Sequence, residues 1–184
     1  MKKKYKRGEL ATLILKCLLA VGGIAIVLSL PGIAPALAMF VPKNKYEKKR
    51  INGAVRRLEY NKFIKVEKYD GKKRIIVTNK GKQYAKKIAL DEITIEKPKK
   101  WDGLWRVVIF DIPEPKKYAR NALSRKLKEV GFYPLQKSTF IFPYKCFEEV
   151  QFIRKYFDVE KYVSFLVAKE MEGSSILKKH FKIK

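Results

Sequence analysis

The chain changes its hydrophobic rhythm several times, and each change predicts an element. Leu10 to Val41 is apolar nearly all round, broken by Gly22-Gly23, Pro31 and Pro35. Pro42 to Lys49 is polar and reads as a linker. Glu47 to Phe63 then predicts an amphipathic helix, because Ile51, Ala54, Val55 and Leu58 fall on one face at helical spacing. Asn61 is its expected stop. Ile64 to Tyr69 alternates, Asp70-Gly71 is a favoured two-residue turn, and Lys72 to Thr78 returns, so a hairpin is expected. Gly81 to Leu90 reads as a short closing helix. Asp91 to Lys100 is charged and ends in Pro98-Lys99-Lys100, as a linker would.

The second half alternates strand and helix. Trp105 to Phe110 has the β-branched, apolar character of a buried strand. The prolines at 113 and 115 end it, since proline cannot donate to a ladder. From Lys116 the period becomes helical, with Ala119, Ala122, Leu123, Leu127 and Val130 three or four apart and Gly131 as the stop. Phe132 to Phe142 reads as one strand, Cys146 to Phe157 as a helix, and Tyr162 to Lys169 as a third strand. The order is β-α-β-α-β, with a last strand to come from the final residues or from a partner chain. Ser174 to His180 reads as a terminal helix.

Leu10 to Val41 admits three readings. A basic start, an apolar run and Ala36-Leu37-Ala38 resemble an export signal. Cys17 to Val41 is long enough to span a membrane. Two buried helices turning at Pro31-Gly32 would instead complete a small helical domain. Lys16 and the two prolines argue against one clean span, so buried helices in a cytoplasmic protein are the expectation. A membrane segment through residues 10–41 is the competing one.

Charge narrows the partner. The 184 residues carry a net +25. Residues 1–100 hold 26 basic against 8 acidic side chains, and the rest hold 17 against 10. A half so basic implies a polyanion, with nucleic acid ahead of an anionic membrane. Cys17 and Cys146 are the only cysteines and His180 the only histidine. Neither a zinc site, a disulfide framework nor Ser-His chemistry has the residues it needs. No cofactor motif is present.

Helices, then a basic helix, then a basic hairpin is the order of a winged helix-turn-helix. The chain resembles that class from Arg50 to Tyr84, above all at Leu58 to Ile64 and at Thr78-Asn79-Lys80-Gly81. The major groove admits one helix, and Arg and Asn can bond base edges bidentately. Arg50, Asn52, Arg56 and Arg57 are therefore expected to read bases. Lys68, Lys72, Lys73 and Arg74, around the hairpin, are expected to hold phosphates.

Trp101-Asp102-Gly103, Trp105-Arg106, Ile109-Phe110-Asp111-Ile112-Pro113-Glu114, Gly131-Phe132, Leu135-Gln136-Lys137-Ser138 and Pro143 form a spaced set. With it, residues 101–184 resemble the central domain of the phenylacetate-catabolism repressor (PaaX) family. That domain is itself similar to the small CRISPR-associated nuclease of spacer acquisition. The resemblance implies a ferredoxin-like domain behind a winged helix. In the nuclease family an aspartate closing the first strand binds metal, one from each chain of a dimer. Asp111 stands at the matching position and would be the catalytic and Mg²⁺-binding residue of that alternative. As a structural residue it would cap the Ile112-Pro113 turn or the following helix. The chain departs from the PaaX pattern by ending after this domain, so the family's thioester effector is not carried over.

The expectation is an α+β protein: a winged helix-turn-helix at 1–90, a linker at 91–102, and a ferredoxin-like β-α-β-α-β domain at 103–184. Its function would be that of a DNA-binding transcriptional regulator, a repressor that binds double-stranded DNA as a homodimer through the C-terminal domain. The alternatives are a metal-dependent nuclease or spacer-acquisition scaffold, and a membrane-anchored basic protein.

Overall fold

A computed structural model describes residues 8–20, 24–27, 44–69 and 72–183. They form two compact units, Met1–Ala89 and Leu90–Lys184.

The first unit opens with α1, Glu9–Ala20, whose Ala11, Ile14, Leu15 and Leu18 are buried along one face. β1, Ile24–Val27, follows. This corrects the expectation of continuous helix there. A short apolar run carries no period that separates a buried strand from a buried helix. The proposed turn at Pro31-Gly32 and the helix beyond it lie outside the described residues. So does the basic arm. Among the described residues no helix is long and apolar enough to cross a membrane.

α2, Lys45–Tyr60, starts at Asn44, whose side-chain oxygen accepts the Glu47 N–H at 2.8 Å. Asn followed by Glu three residues later has the spacing of a capping box. Asn61 ends the helix as expected. Its amide Nδ2 donates to the Arg57 carbonyl at 2.7 Å, and the Phe63 N–H reaches back to Leu58 at 2.9 Å. Lys62, at φ 60°, makes that reversal. β2, Ile64–Tyr69, and β3, Lys72–Val77, pair antiparallel, with Ile64 opposite Val77 and Tyr69 opposite Lys72. The Asp70-Gly71 turn lies outside the described residues. β1 joins β3 antiparallel, giving a sheet ordered β1-β3-β2.

α3, Asn79–Asp91, locks this hairpin to α2. Thr78 Oγ1 accepts the Gly81 N–H at 3.1 Å and donates to the Lys62 carbonyl at 2.7 Å. A Cβ on Gly81 would lie 2.1 Å from the Phe63 carbonyl oxygen, so only glycine fits the crossing. The Phe63 and Tyr84 rings stack at 4.2 Å. Leu15, Leu18, Ala54, Leu58, Ile64, Ile75 and Ala85 close the core around these elements.

In the second unit, β4 is Trp105–Phe110, α4 Lys117–Glu129, β5 Tyr133–Gln136, β6 Thr139–Phe142, α5 Phe147–Tyr156, β7 Val163–Ala168 and α6 Ser174–Phe181. All strand pairs are antiparallel, in the order β5-β6-β4-β7. The expected single strand at Phe132 to Phe142 is two strands. Lys137-Ser138 turns the chain between them, and a register shift falls between Pro134 and Gln136. The connectivity is therefore β-α-β-β-α-β, that of a ferredoxin-like unit. The fourth strand comes from within the sheet, so the last residues are free to form α6.

One sheet face packs Val108, Phe110, Phe140 and Phe142 against Leu123 and Leu127 of α4 and Val150 and Ile153 of α5. Each fully buried large side chain there contributes about 2 kcal/mol relative to exposure. The other face carries Trp105, Val107 and Ile141 under Leu177 of α6. Leu90 and Ile95 belong to the first of these clusters. Part of the segment expected to be linker is thus built into the second unit's core.

Candidate nucleic-acid interface

α2 carries six basic and two acidic side chains. At 3.6 residues per turn, Ile51, Ala54, Val55 and Leu58 share the inward arc. Ala54 and Leu58 are buried there. Opposite lie Lys45, Lys49, Gly53, Arg56 and Tyr60, all exposed, with exposed Asn52 and Arg57 at the margins. Of the four expected readers, Asn52, Arg56 and Arg57 face solvent. Arg50 sits nearer the inward arc, half-buried, its guanidinium 5.9 Å from the centre of the Tyr46 ring.

Three residues of this face, Lys45, Tyr46 and Lys49, were not foreseen; they fall in the segment expected to be linker. Tyr46 and Tyr60 are 68% and 87% exposed. The signal for Lys45 was the Asn44–Glu47 capping pair, which starts the helix two residues before the expected Glu47. Gly53, ninth of the sixteen residues, has only open space where a Cβ would stand. Glycine there weakens the helix by about 1 kcal/mol relative to alanine.

The hairpin divides the other group. Lys68 is exposed on β2. Lys72 and Lys73 pair through their backbones with Tyr69 and Lys68, while their side chains lie outside the described residues. Arg74 is not at the tip. It is half-buried in the central strand, directly opposite Glu67, an opposite-charge cross-strand pairing that suits sheet stability as well as a ligand.

Asp111 follows β4 in the second unit. Its N–H donates to the Tyr162 carbonyl at 3.0 Å, and its side chain is exposed. The carboxylate caps neither the Pro113 turn nor α4, both of which begin without a side-chain cap. It opens on a cleft of about 530 Å³ lined also by Arg120, Asn121, Ser124, Lys128, Lys137 and Ser138. Asp111 is the only carboxylate in that lining, and Arg120, Lys128 and Lys137 bring three cations to it. Mg²⁺ takes hard oxygen donors, usually carboxylates with water and phosphate. One carboxylate among three cations is a poor donor set for it within a single chain. No group of three or more metal-binding side chains occurs among the described residues.

The residues that carried the sequence resemblance serve the fold. Arg106 is buried at 4% exposure, and its guanidinium donates to Asp102, to the Leu104 carbonyl and to the Pro143 carbonyl. Asp102 accepts on both oxygens, and the Arg106 hydrogen bond holds its carboxyl below the usual range. Gly103, at φ 78°, turns the chain between them. Trp101 donates Nε1–H to the Leu104 carbonyl at 3.1 Å and packs on Trp105. This knot fixes the start of β4 to the end of β6.

Comparison with known proteins agrees with that resemblance. Residues 98–179 match the family model described as the PaaX protein central Cas2-like domain. The match lies within the second unit. No curated protein matches the chain.

Proposed function

We propose, from a C-terminal unit whose residues 98–179 match the PaaX central Cas2-like domain, that this protein is a DNA-binding transcriptional regulator. α2 is its recognition helix and the β2–β3 hairpin its wing. The observation that carries the reading is the outward face of α2, where Lys45, Lys49, Arg56 and Arg57 stand exposed beside Asn52. The sheet order β1-β3-β2, with the hairpin directly following α2, supports a winged arrangement. Arg and Asn on such a face supply base contacts, and the hairpin lysines supply phosphate contacts. The C-terminal unit joins two copies, so that two recognition helices meet two half-sites about 34 Å apart or a multiple of that. Occupancy of the site then represses transcription.

Recovery of bound fragments from a random duplex pool by the full chain, near physiological salt with excess competitor, tests this. A discrete inverted repeat is the expected product. Retention without sequence preference would leave a basic DNA-coating protein, and no retention would remove the reading.

A further inference from the structure

We infer that Gly53 marks the line of closest approach between α2 and its DNA, so that the missing side chain is itself a binding feature. The inference rests on the DNA-binding reading above and adds a determinant to it. A glycine inside an exposed helix weakens the helix, and within a fold it is justified by a positive φ, a helix end or a crowding neighbour. None of these holds at Gly53. It lies mid-helix, is not among the positive-φ glycines, and a Cβ there would meet nothing within 4 Å. Gly81, where a Cβ would strike the Phe63 carbonyl at 2.1 Å, is the opposite case. The fold therefore explains Gly81 and leaves Gly53 unexplained.

The surroundings of Gly53 identify the partner's chemistry. Helical neighbours lie three and four residues away, and seven residues closes two turns. Three and four residues before Gly53 stand Arg50 and Lys49, and three and four after it stand Arg56 and Arg57. Seven residues out on either side are Tyr46 and Tyr60, both exposed. A bare centre is thus ringed by four cations and bracketed by two aromatic hydroxyls about 21 Å apart along the axis. Polyanionic duplex fits the ring. The major groove, about 12 Å wide, barely accepts a helix about 10–12 Å across. Removing the side chain from the leading edge lowers the helix toward the base edges and lets the flanking arginines reach them.

Gly53→Ala separates folding from binding, because the two respond with opposite sign. Melting of the full chain should shift upward by about 4 °C in the N-terminal transition. Affinity for the duplex recovered by selection should fall at least tenfold, and Gly53→Leu, also a good helix former, should lose more. Equal or tighter binding by Gly53→Ala, or a lower melting temperature, overturns the inference while leaving the regulator reading intact. Failure of the unaltered chain to retain any duplex removes both.

Discussion

The two units treat their charge differently. The first, Met1–Ala89, has 23 basic against 5 acidic side chains, and the second has 20 against 13. In the second unit several cations are employed internally. Arg106 is bound to Asp102, Lys116 to Asp158, Arg120 to Glu114 and Lys126 to Glu129. In the first unit five carboxylates cannot neutralise twenty-three cations, and part of the surplus belongs to α2 and the hairpin strands. Like charges crowded on one helix repel and weaken it. Charge answered within the chain supports structure, and a basic surplus is what a polyanion partner would use.

The largest effect expected from this contrast is at Asp102. Asp102→Ala leaves the Arg106 guanidinium buried with only carbonyl partners, and should destabilise the C-terminal unit by on the order of 3 kcal/mol in denaturant melts. The sign with pH follows from the lowered carboxyl. The contribution is fully present above the unfolded aspartate value of about 3.9 and is lost as pH falls through the folded value. Acid titration of unfolding should show that loss in the unaltered chain and not in Asp102→Ala. A variant with unchanged stability would mean the pair is incidental.

Next in size is Gly81→Ala. The added methyl collides with a backbone carbonyl that cannot swing aside, so the N-terminal unit should lose about 2–3 kcal/mol. DNA affinity should fall only as far as the folded fraction falls. Asp102→Ala and Gly81→Ala together show whether the units melt separately, as two thermal transitions moved one at a time.

Arg56→Ala with Arg57→Ala should leave both transitions in place and relax sequence preference, at about 1–3 kcal/mol per lost base contact. Selection repeated with the double variant checks this by degenerate positions in the recovered repeat. An unaltered consensus would take both residues out of the reading role.

How much of this was legible varies with the kind of signal. α2 and the hairpin were readable because their cues are local: an apolar stripe, Asn61 as a stop, alternation in the strands. The β5–β6 hairpin was not, because Lys137-Ser138 turns the chain without glycine, proline or asparagine. The strand at Ile24 was missed because only pairing with β3 distinguishes it from helix. On α2, the outward placing of Asn52, Arg56 and Arg57 followed from type and phase, whereas Arg50 is half-buried and Lys45 and Lys49 were left out. Lys45 was missed because the helix was begun at Glu47 rather than at the Asn44 cap. The Asp102–Arg106 knot had no sequence rule behind it, since residues four apart meet predictably only on a helix, and this segment is not one.

The most direct test is the salt dependence of DNA affinity for two triple variants of the full chain. One removes Lys68, Lys72 and Lys73 from the hairpin, and the other removes Lys128, Lys137 and Lys155 from the C-terminal unit, all to alanine. Each phosphate contact contributes about 0.9 to the slope of log affinity against log salt. The hairpin variant should lose about three units of slope and the C-terminal variant none. Equal slopes in the two variants, or a loss confined to the C-terminal one, would contradict the assignment of DNA contact to the N-terminal unit and move attention to the cleft at Asp111.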